Sequence, residues 1–175
     1  MEISKYGVTL RQLTEDKLEM VRNWRNDPKI SQYMEYRDYI TPEMQINWFK
    51  RINNKHNYYF IIEFEGKEIG LSNLRDIDYE KGEGEGGIFI YDDEYLNSTI
   101  SFQTDLCLHD FAFEELKLKR IIAHIMKDNK RAIQYNKMQG LKLQPNQEGI
   151  VNQLYTLELN DYIEAKKKLL KILNI

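Results

Sequence analysis

Arg120-Ile121-Ile122-Ala123-His124-Ile125-Met126-Lys127-Asp128-Asn129-Lys130-Arg131-Ala132-Ile133-Gln134-Tyr135-Asn136-Lys137-Met138-Gln139-Gly140 reads as a strand that runs straight into a helix. Arg120 to Met126 is rich in β-branched and apolar residues and has strand length. Asn129 to Met138 then has helical spacing and stops at Gly140, a natural C-cap. Upstream, a long helix is expected from about Ile100 to Leu116, with Phe102, Leu106, Phe113 and Leu116 on one stripe that Phe111 broadens. Downstream, residues 141–144 and 153–159 read as a final strand pair. Asn160 or Asp161 then caps a last helix with Tyr162, Ile163, Lys166, Leu169, Leu170 and Leu173 at helical spacing.

In the first half, residues 6–12 read as a short strand. Thr14 is a good N-cap, with Glu15 and Asp16 suited to a first turn. Leu18, Val21 and Trp24 share a helical face, and Asn26-Asp27-Pro28 ends that helix. Thr41-Pro42 starts a second helix, striped by Ile46, Phe49 and Ile52. Tyr58 to Phe64 and Glu68 to Leu74 form a hairpin around Glu65-Gly66. Tyr79-Glu80-Lys81-Gly82-Glu83-Gly84-Glu85-Gly86 reads as a polar turn before a strand at 88–91. Its glycines do not make it a phosphate loop, because a strand follows it and Glu80, Glu83 and Glu85 would repel phosphate. The order β-α-α-β-β-β-α-β-α-β-β-α implies an α+β fold. Its central sheet is mixed and mostly antiparallel, flanked by helices, with an extra C-terminal helix at 160–175.

The chain of 175 residues suits a single domain, residues 1–175. Twenty-five basic residues against 28 acidic ones give a net charge of −3, which offers no footprint for nucleic acid and no pull toward an anionic membrane. The single cysteine, Cys107, excludes an intrachain disulfide and a cysteine-based zinc site, so no metal is expected. No apolar run approaches the roughly 20 residues that span a bilayer. With no signal-peptide pattern at Met1-Glu2-Ile3-Ser4-Lys5, the cytoplasm is the expected compartment.

Three segments carry a resemblance. Arg22-Asn23-Trp24-Arg25-Asn26-Asp27-Pro28 with Tyr33-Met34 resembles the first helix of two groups of GNAT (GCN5-related) acyl-CoA N-acetyltransferases. One acetylates ribosomal-protein N-termini and the other acetylates UDP-linked 4-amino sugars. Phe111-Ala112-Phe113-Glu114-Glu115-Leu116, with Leu118 and Arg120, resembles the end of the family's CoA-side helix. Asn129-x-x-Ala132-Ile133 with Gly140 resembles its Asn-x-x-Ala-Ile…Gly helix. The resemblance covers about residues 6–159 and implies a GNAT fold.

The activity it implies is direct attack of a neutral amine on the thioester of acetyl-CoA, with no metal. The amine would be a nucleotide-linked amino sugar or, second, a protein N-terminus, and a homodimer is compatible with the family. CoA would lie along Ile88 and Ile90, at Asn97, Ser98, Thr99, Ile100 and Ser101, and beside Asn129 and Ala132. The acceptor would meet Trp24, Arg25, Tyr33, Met34, Asn73 and Arg75, with Arg25 suited to bidentate pairing with a phosphate.

Two features depart from the family. Thr99 and Ser101 stand where its pyrophosphate loop has glycine, so Ser98, Thr99 and Ser101 would supply hydroxyl donors or merely cap the helix. Asn136 fills the slot of the family's tyrosine, and Tyr135 lies about 100° around the helix from it. His124 is a candidate base, His109 is read as structural, and Tyr135 and Asn136 are candidates for assisting the thiolate. The competing reading is a degenerate GNAT domain that binds a ligand or partner without turnover.

Overall fold

The computed structural model describes all 175 residues. One eight-stranded sheet runs through the molecule in the order β1-β2-β3-β4-β5-β6-β8-β7. Its strands are β1 (Glu2–Lys5), β2 (Val8–Gln12), β3 (Tyr58–Phe64), β4 (Lys67–Asp78), β5 (Glu83–Ile90), β6 (Arg120–Met126), β7 (Lys142–Leu143) and β8 (Asn152–Glu158). All pairings are antiparallel except β5 with β6, which is parallel. Six α-helices flank the sheet: α1 (Leu18–Asn26), α2 (Pro28–Ser31), α3 (Pro42–Ile52), α4 (Ile100–Asp110), α5 (Lys130–Met138) and α6 (Leu159–Leu173). A parallel pair needs a crossover, and the segment bearing α4 supplies it.

Each face of the sheet has its own core. On one face Leu10, Phe60, Ile62, Leu74, Ile121 and Leu157 join a cluster of 25 buried residues that includes α4 and α6. On the other, Leu13, Leu18, Val21, Trp24, Ile61 and Leu71 form a cluster of six under α1, with Trp48 and Phe49 of α3 packed against it. The second core is the smaller, so part of that face is left to polar side chains.

Several local expectations are corrected. Residues 6–12 are not one strand: Tyr6 and Gly7 take φ of 58° and 81° and turn the chain between β1 and β2. A single 3₁₀ turn, Glu15–Lys17, precedes α1, and the Thr14 side chain makes no cap hydrogen bond to it. The short α2 was not anticipated; Asp27 caps it by accepting from the Lys29 amide at 3.0 Å. β5 begins at Glu83, inside the stretch read as a turn. Its glycines serve close packing, since a Cβ on Gly84 would lie 3.0 Å from Ile77 Cγ1 and one on Gly86 3.2 Å from Ile121 Cγ2. α4 is buried on nearly every side from Thr104 to Asp110 and ends in a π-helical turn, Phe111–Glu115. The last helix starts at Leu159, one residue ahead of the expected caps.

One polar cluster fastens the N-terminal hairpin and α6 to α4. Lys5, Tyr6, Tyr162 and Lys166 all donate to Asp110, both tyrosines at 2.6 Å. Burial pushes the Asp110 carboxyl up, but hydrogen bonds from Lys166, Lys5, Tyr162 and Tyr6 outweigh it and hold the group well below the usual carboxylate range. Beside it, burial pushes the His109 imidazole down, and its Nδ1 has no partner.

Both groups titrate lower in the fold than in the unfolded chain. Each therefore contributes its full stability above its unfolded pKa, about 6.5 for His and about 3.9 for Asp, and loses it as pH falls. The melting temperature should thus begin to drop below about pH 6.5 and fall more steeply below about pH 4. Asp110→Asn should cost about 2–4 kcal/mol at pH 7 and flatten the lower limb. A melting temperature independent of pH down to 4 would contradict this assignment.

Candidate active site

The parallel ladder between β5 and β6 is short. It pairs Glu83 with Arg120, Gly84 with Ile121 and Glu85 with Ile122, and stops there although both strands continue. Beyond Glu85 the strands splay toward their C-terminal ends. The Tyr91 amide donates to Ile69 O of β4 at 2.7 Å. By the alternation of a strand, the backbone groups of Ile88 and Ile90 point the other way, into the wedge. The β4–β5 register is unbroken from Gly70–Ile90 to Arg75–Glu85; it is irregular between Arg75 and Asp78, where Asp76 has a φ of 52°, and just past Ile90 the Tyr91 and Asp92 amides both donate to Ile69 O.

One end of the wedge meets α4. The loop before that helix is closed on itself: Ser98 Oγ donates to Tyr95 O at 2.7 Å and accepts from the Ile100 amide at 3.2 Å. Thr99 Oγ1 donates to Gln103 Oε1 at 3.2 Å. Arg131 of α5 braces it by donating to Leu96 O at 2.7 Å and Asn97 Oδ1 at 3.2 Å. The expected hydroxyl donors, Ser98 and Thr99, are therefore occupied within the loop. The Thr99 and Ser101 backbone amides, by contrast, donate to no group of the chain. Thr99 has φ −80° and ψ −6°, ordinary backbone that a β-branched residue adopts without strain, so glycine is not required there.

On the face bearing the smaller core, the register sets out a polar row. Tyr59, Asn73 and Gly87 are direct partners across β3, β4 and β5, and Arg75, Glu85 and Ile122 across β4, β5 and β6. His124 lies two residues beyond Ile122 and so on the same face. Arg75 Nη2 donates to Glu85 Oε1 at 2.7 Å, while Glu85 Oε2 stands 3.3 Å from His124 Nδ1. The Glu85 side chain is only 13% exposed, against 39% for both Arg75 and His124. Glu85 was missed because its segment reads as a turn; the alternation of Glu83, Glu85 and Gly87 was the available signal.

These elements account for a match to a known family. A profile described as an acetyltransferase (GNAT) domain fits residues 8–142. The chain belongs to the GNAT acetyltransferase family. It is 22% identical over 125 residues to acetyltransferase PseH of Campylobacter jejuni, covering 70% of this chain and 74% of that protein. Among solved structures it is similar to FdhC, described as a nucleotide-linked sugar GNAT, with a TM-score of 0.81, 21% identity and coverage of 99% and 98% of the two chains. It is also similar to spermidine N-acetyltransferase from Vibrio cholerae in complex with CoA and spermine, with a TM-score of 0.76, 22% identity and coverage of 90% and 98%. The sheet of eight strands and its flanking helices is thus a GNAT fold, and acetyl-CoA is the family's acyl donor.

The residues read from sequence fall on both sides of the GNAT wedge. Ile88 and Ile90 line it, and the 97–101 loop lies at the start of α4. Asn129 caps α5 by accepting from the Ala132 amide at 3.0 Å. Asn136 Nδ2 donates back to Ala132 O at 2.8 Å. The Tyr135 hydroxyl donates to Asp105 at 2.8 Å; burial, then the charge of Asp105 and this bond, push its pKa well above the usual phenol value. As placed, it ties α5 to α4 and offers no proton to a thiolate.

On the acceptor side, Trp24 is buried and stacked on Tyr91 with centroids 5.3 Å apart. Tyr33 is exposed and Met34 half-exposed just beyond α2. The described residues contain no cluster of His, Cys, Asp and Glu that could hold a metal. No helix is long and apolar enough to cross a membrane.

The free amides at the start of α4 set a test. Replacing Ser98 and Thr99 together by Asp puts negative charge where those amides lie. It should weaken CoA binding by at least about tenfold, a loss of about 1.4 kcal/mol, in equilibrium titration. Unchanged affinity would place the phosphates elsewhere.

Proposed function

We propose that this GNAT protein transfers an acetyl group from acetyl-CoA to a primary amine, first of all the amine of a nucleotide-linked amino sugar, with a protein N-terminus as the second acceptor class. The observation that carries the reading is the Arg75–Glu85–His124 chain at the mouth of the β5–β6 wedge. FdhC lends support to the sugar, being described as a nucleotide-linked sugar GNAT.

Acetyl-CoA, when bound, supplies the activated acetyl group. The chain's own residues do the rest. Glu85, held by Arg75, lies 3.3 Å from His124 Nδ1, and its charge favours the proton on that nitrogen, which leaves Nε2 with a lone pair. That nitrogen takes the proton the attacking amine must lose. The backbone of Ile88 and Ile90 and the amides of Thr99 and Ser101 bind and orient the donor. The second hydrogen of Asn136 Nδ2 is the donor nearest in sequence logic to the departing thiolate, which needs little protonation at neutral pH.

The alternative is a degenerate domain that binds without turnover; it draws on the missing loop glycines and on Asn136 in the family's tyrosine slot, and the unstrained backbone at Thr99 weakens only the first.

His124→Ala should lower kcat by about 10²–10⁴ while sparing CoA affinity, and Glu85→Gln should do the same to a lesser degree. The parent rate should fall on acidification, because a protonated imidazole accepts no proton. Parent-like rates in both variants, measured with a responsive amine, would overturn the proton path. Absence of any turnover together with absence of CoA binding would favour the degenerate domain.

A further inference from the structure

The string Arg22-Asn23-Trp24-Arg25-Asn26-Asp27 employs nearly all of its side chains in building the fold. Arg22 donates to Glu19, to the Tyr39 hydroxyl and to Ile40 O, both of the latter at 3.0 Å. Asn26 pairs with the Ile40 backbone twice, donating to its carbonyl at 2.9 Å and accepting from its amide at 2.8 Å. Trp24 fills the smaller core and Asp27 caps α2. Arg22 and Asn26 thus anchor the end of the segment joining α2 to α3. Asn23 is exposed. Arg25 alone is withdrawn from the surface without a structural task.

Every other arginine that is not exposed, Arg22, Arg75 and Arg120, has a carboxylate within salt-bridge distance. Arg25 has neither an ion pair nor a hydrogen bond, and its Nε is enclosed with no acceptor. Its titratable neighbours are the Tyr59 phenol and the Arg75 guanidinium. Burial pushes Arg25 down; the Tyr59 phenol opposes this, and the like charge of Arg75 adds to it. Arg75 is neutralised by Glu85 and Asp76, so the uncompensated charge belongs to Arg25. A second orphan adjoins it in the row, since Asn73 Oδ1, on the strand between Tyr59 and Gly87, is also buried without a partner. A guanidinium whose Nε is enclosed with no acceptor is unfavourable in the free protein and is relieved by an oxyanion.

We infer that Arg25 is the anion-binding residue of the acceptor site, and that the acceptor carries an oxyanion well separated from its reacting amine. This rests on the acetyltransferase reading above. Tyr59, beside Arg25, is on β3, and His124 is on β6. Two to three strand spacings separate the anion end from the amine end, about 10–14 Å. That span is too long for an α-amino acid, whose carboxylate adjoins its amine, and it suits a phosphate beyond a sugar ring. A polyamine, cationic along its length, meets an unpaired guanidinium and is the disfavoured acceptor.

The test uses the full chain at saturating CoA, so that CoA's own phosphates occupy their site. UDP is titrated as the probe for a phosphate, and 8-aminooctanoate as the probe for a distant carboxylate. Parent protein should bind UDP, and Arg25→Met should weaken that binding by about 10- to 100-fold, the scale of a charge-assisted hydrogen bond. Arg25→Lys should recover part of the loss, and CoA affinity should not change in either variant. Binding of 8-aminooctanoate with the same Arg25 dependence, and not of UDP, would assign the site to a carboxylate and support the oxyanion inference. In turnover, a UDP-linked amino sugar should outrun spermidine and a neutral peptide, with Arg25→Met raising KM far more than it lowers kcat. Failure of both anions to bind, equal binding to Arg25→Met, or preference for spermidine would overturn the inference. Anion binding without turnover of any amine would leave it standing and count against the acetyltransferase reading instead.

Discussion

The hydrogen-bond ladder between β5 and β6 ends after Glu85 and Ile122, and the rest of the site depends on that stop. A fully paired parallel strand would satisfy its own backbone and leave nothing for a ligand. Here Ile88 and Ile90 keep backbone groups directed into a gap, and a buried polar group without a partner costs about 1–3 kcal/mol. Such a group favours a ligand that completes the pairing. The chain then leaves β5, turns through residues 91–99 and enters α4, whose unpaired Thr99 and Ser101 amides lie at the same end of the strand. One constraint therefore aligns a backbone-pairing slot with an anion-binding helix start, the two requirements of a long donor with phosphates at one end.

On the opposite face of the sheet, charge is distributed by the same register. Surface pairs such as Arg11 with Glu2 are screened by solvent and explain little. The Arg75–Glu85 pair differs because Glu85 is almost enclosed, with the guanidinium 2.7 Å from its Oε1. That pairing leaves the second carboxylate oxygen for His124, and the imidazole gains an orienting partner by folding alone. Arg25 has no such partner. Two arginines on one face thus differ, one neutralised and one not.

The element order, the long α4, the Asn129-capped α5 and the C-terminal helix were legible because each rests on local signals: apolar spacing, an Asn cap, and Gly140 at a φ of 95°. β5 was only half legible. Gly82, Gly84, Gly86 and Gly87 signal a turn by composition, yet three of them are small because neighbouring strands press against them; a Cβ on Gly87 would lie 2.9 Å from Asn73 Nδ2. Reading that stretch as a turn hid Glu85, the residue that stands between Arg75 and His124. The loop glycines raised the opposite difficulty: their absence suggests a lost CoA site, whereas the backbone at Thr99 needs none. Tyr135 and Asp105 are 30 residues apart, and only the packing of α5 on α4 brings them together. No periodicity could have disclosed that contact.

The central claim is that the β5–β6 wedge and the start of α4 form one acetyl-CoA site. Backbone amide resonances followed by two-dimensional NMR during titration with acetyl-CoA test it directly. The account predicts that Ile88, Ile90, Thr99 and Ser101 shift together with a single affinity, and that the amides around the Asp110 cluster stay fixed. Saturating shifts confined to other surfaces, with those four amides unmoved, would contradict it.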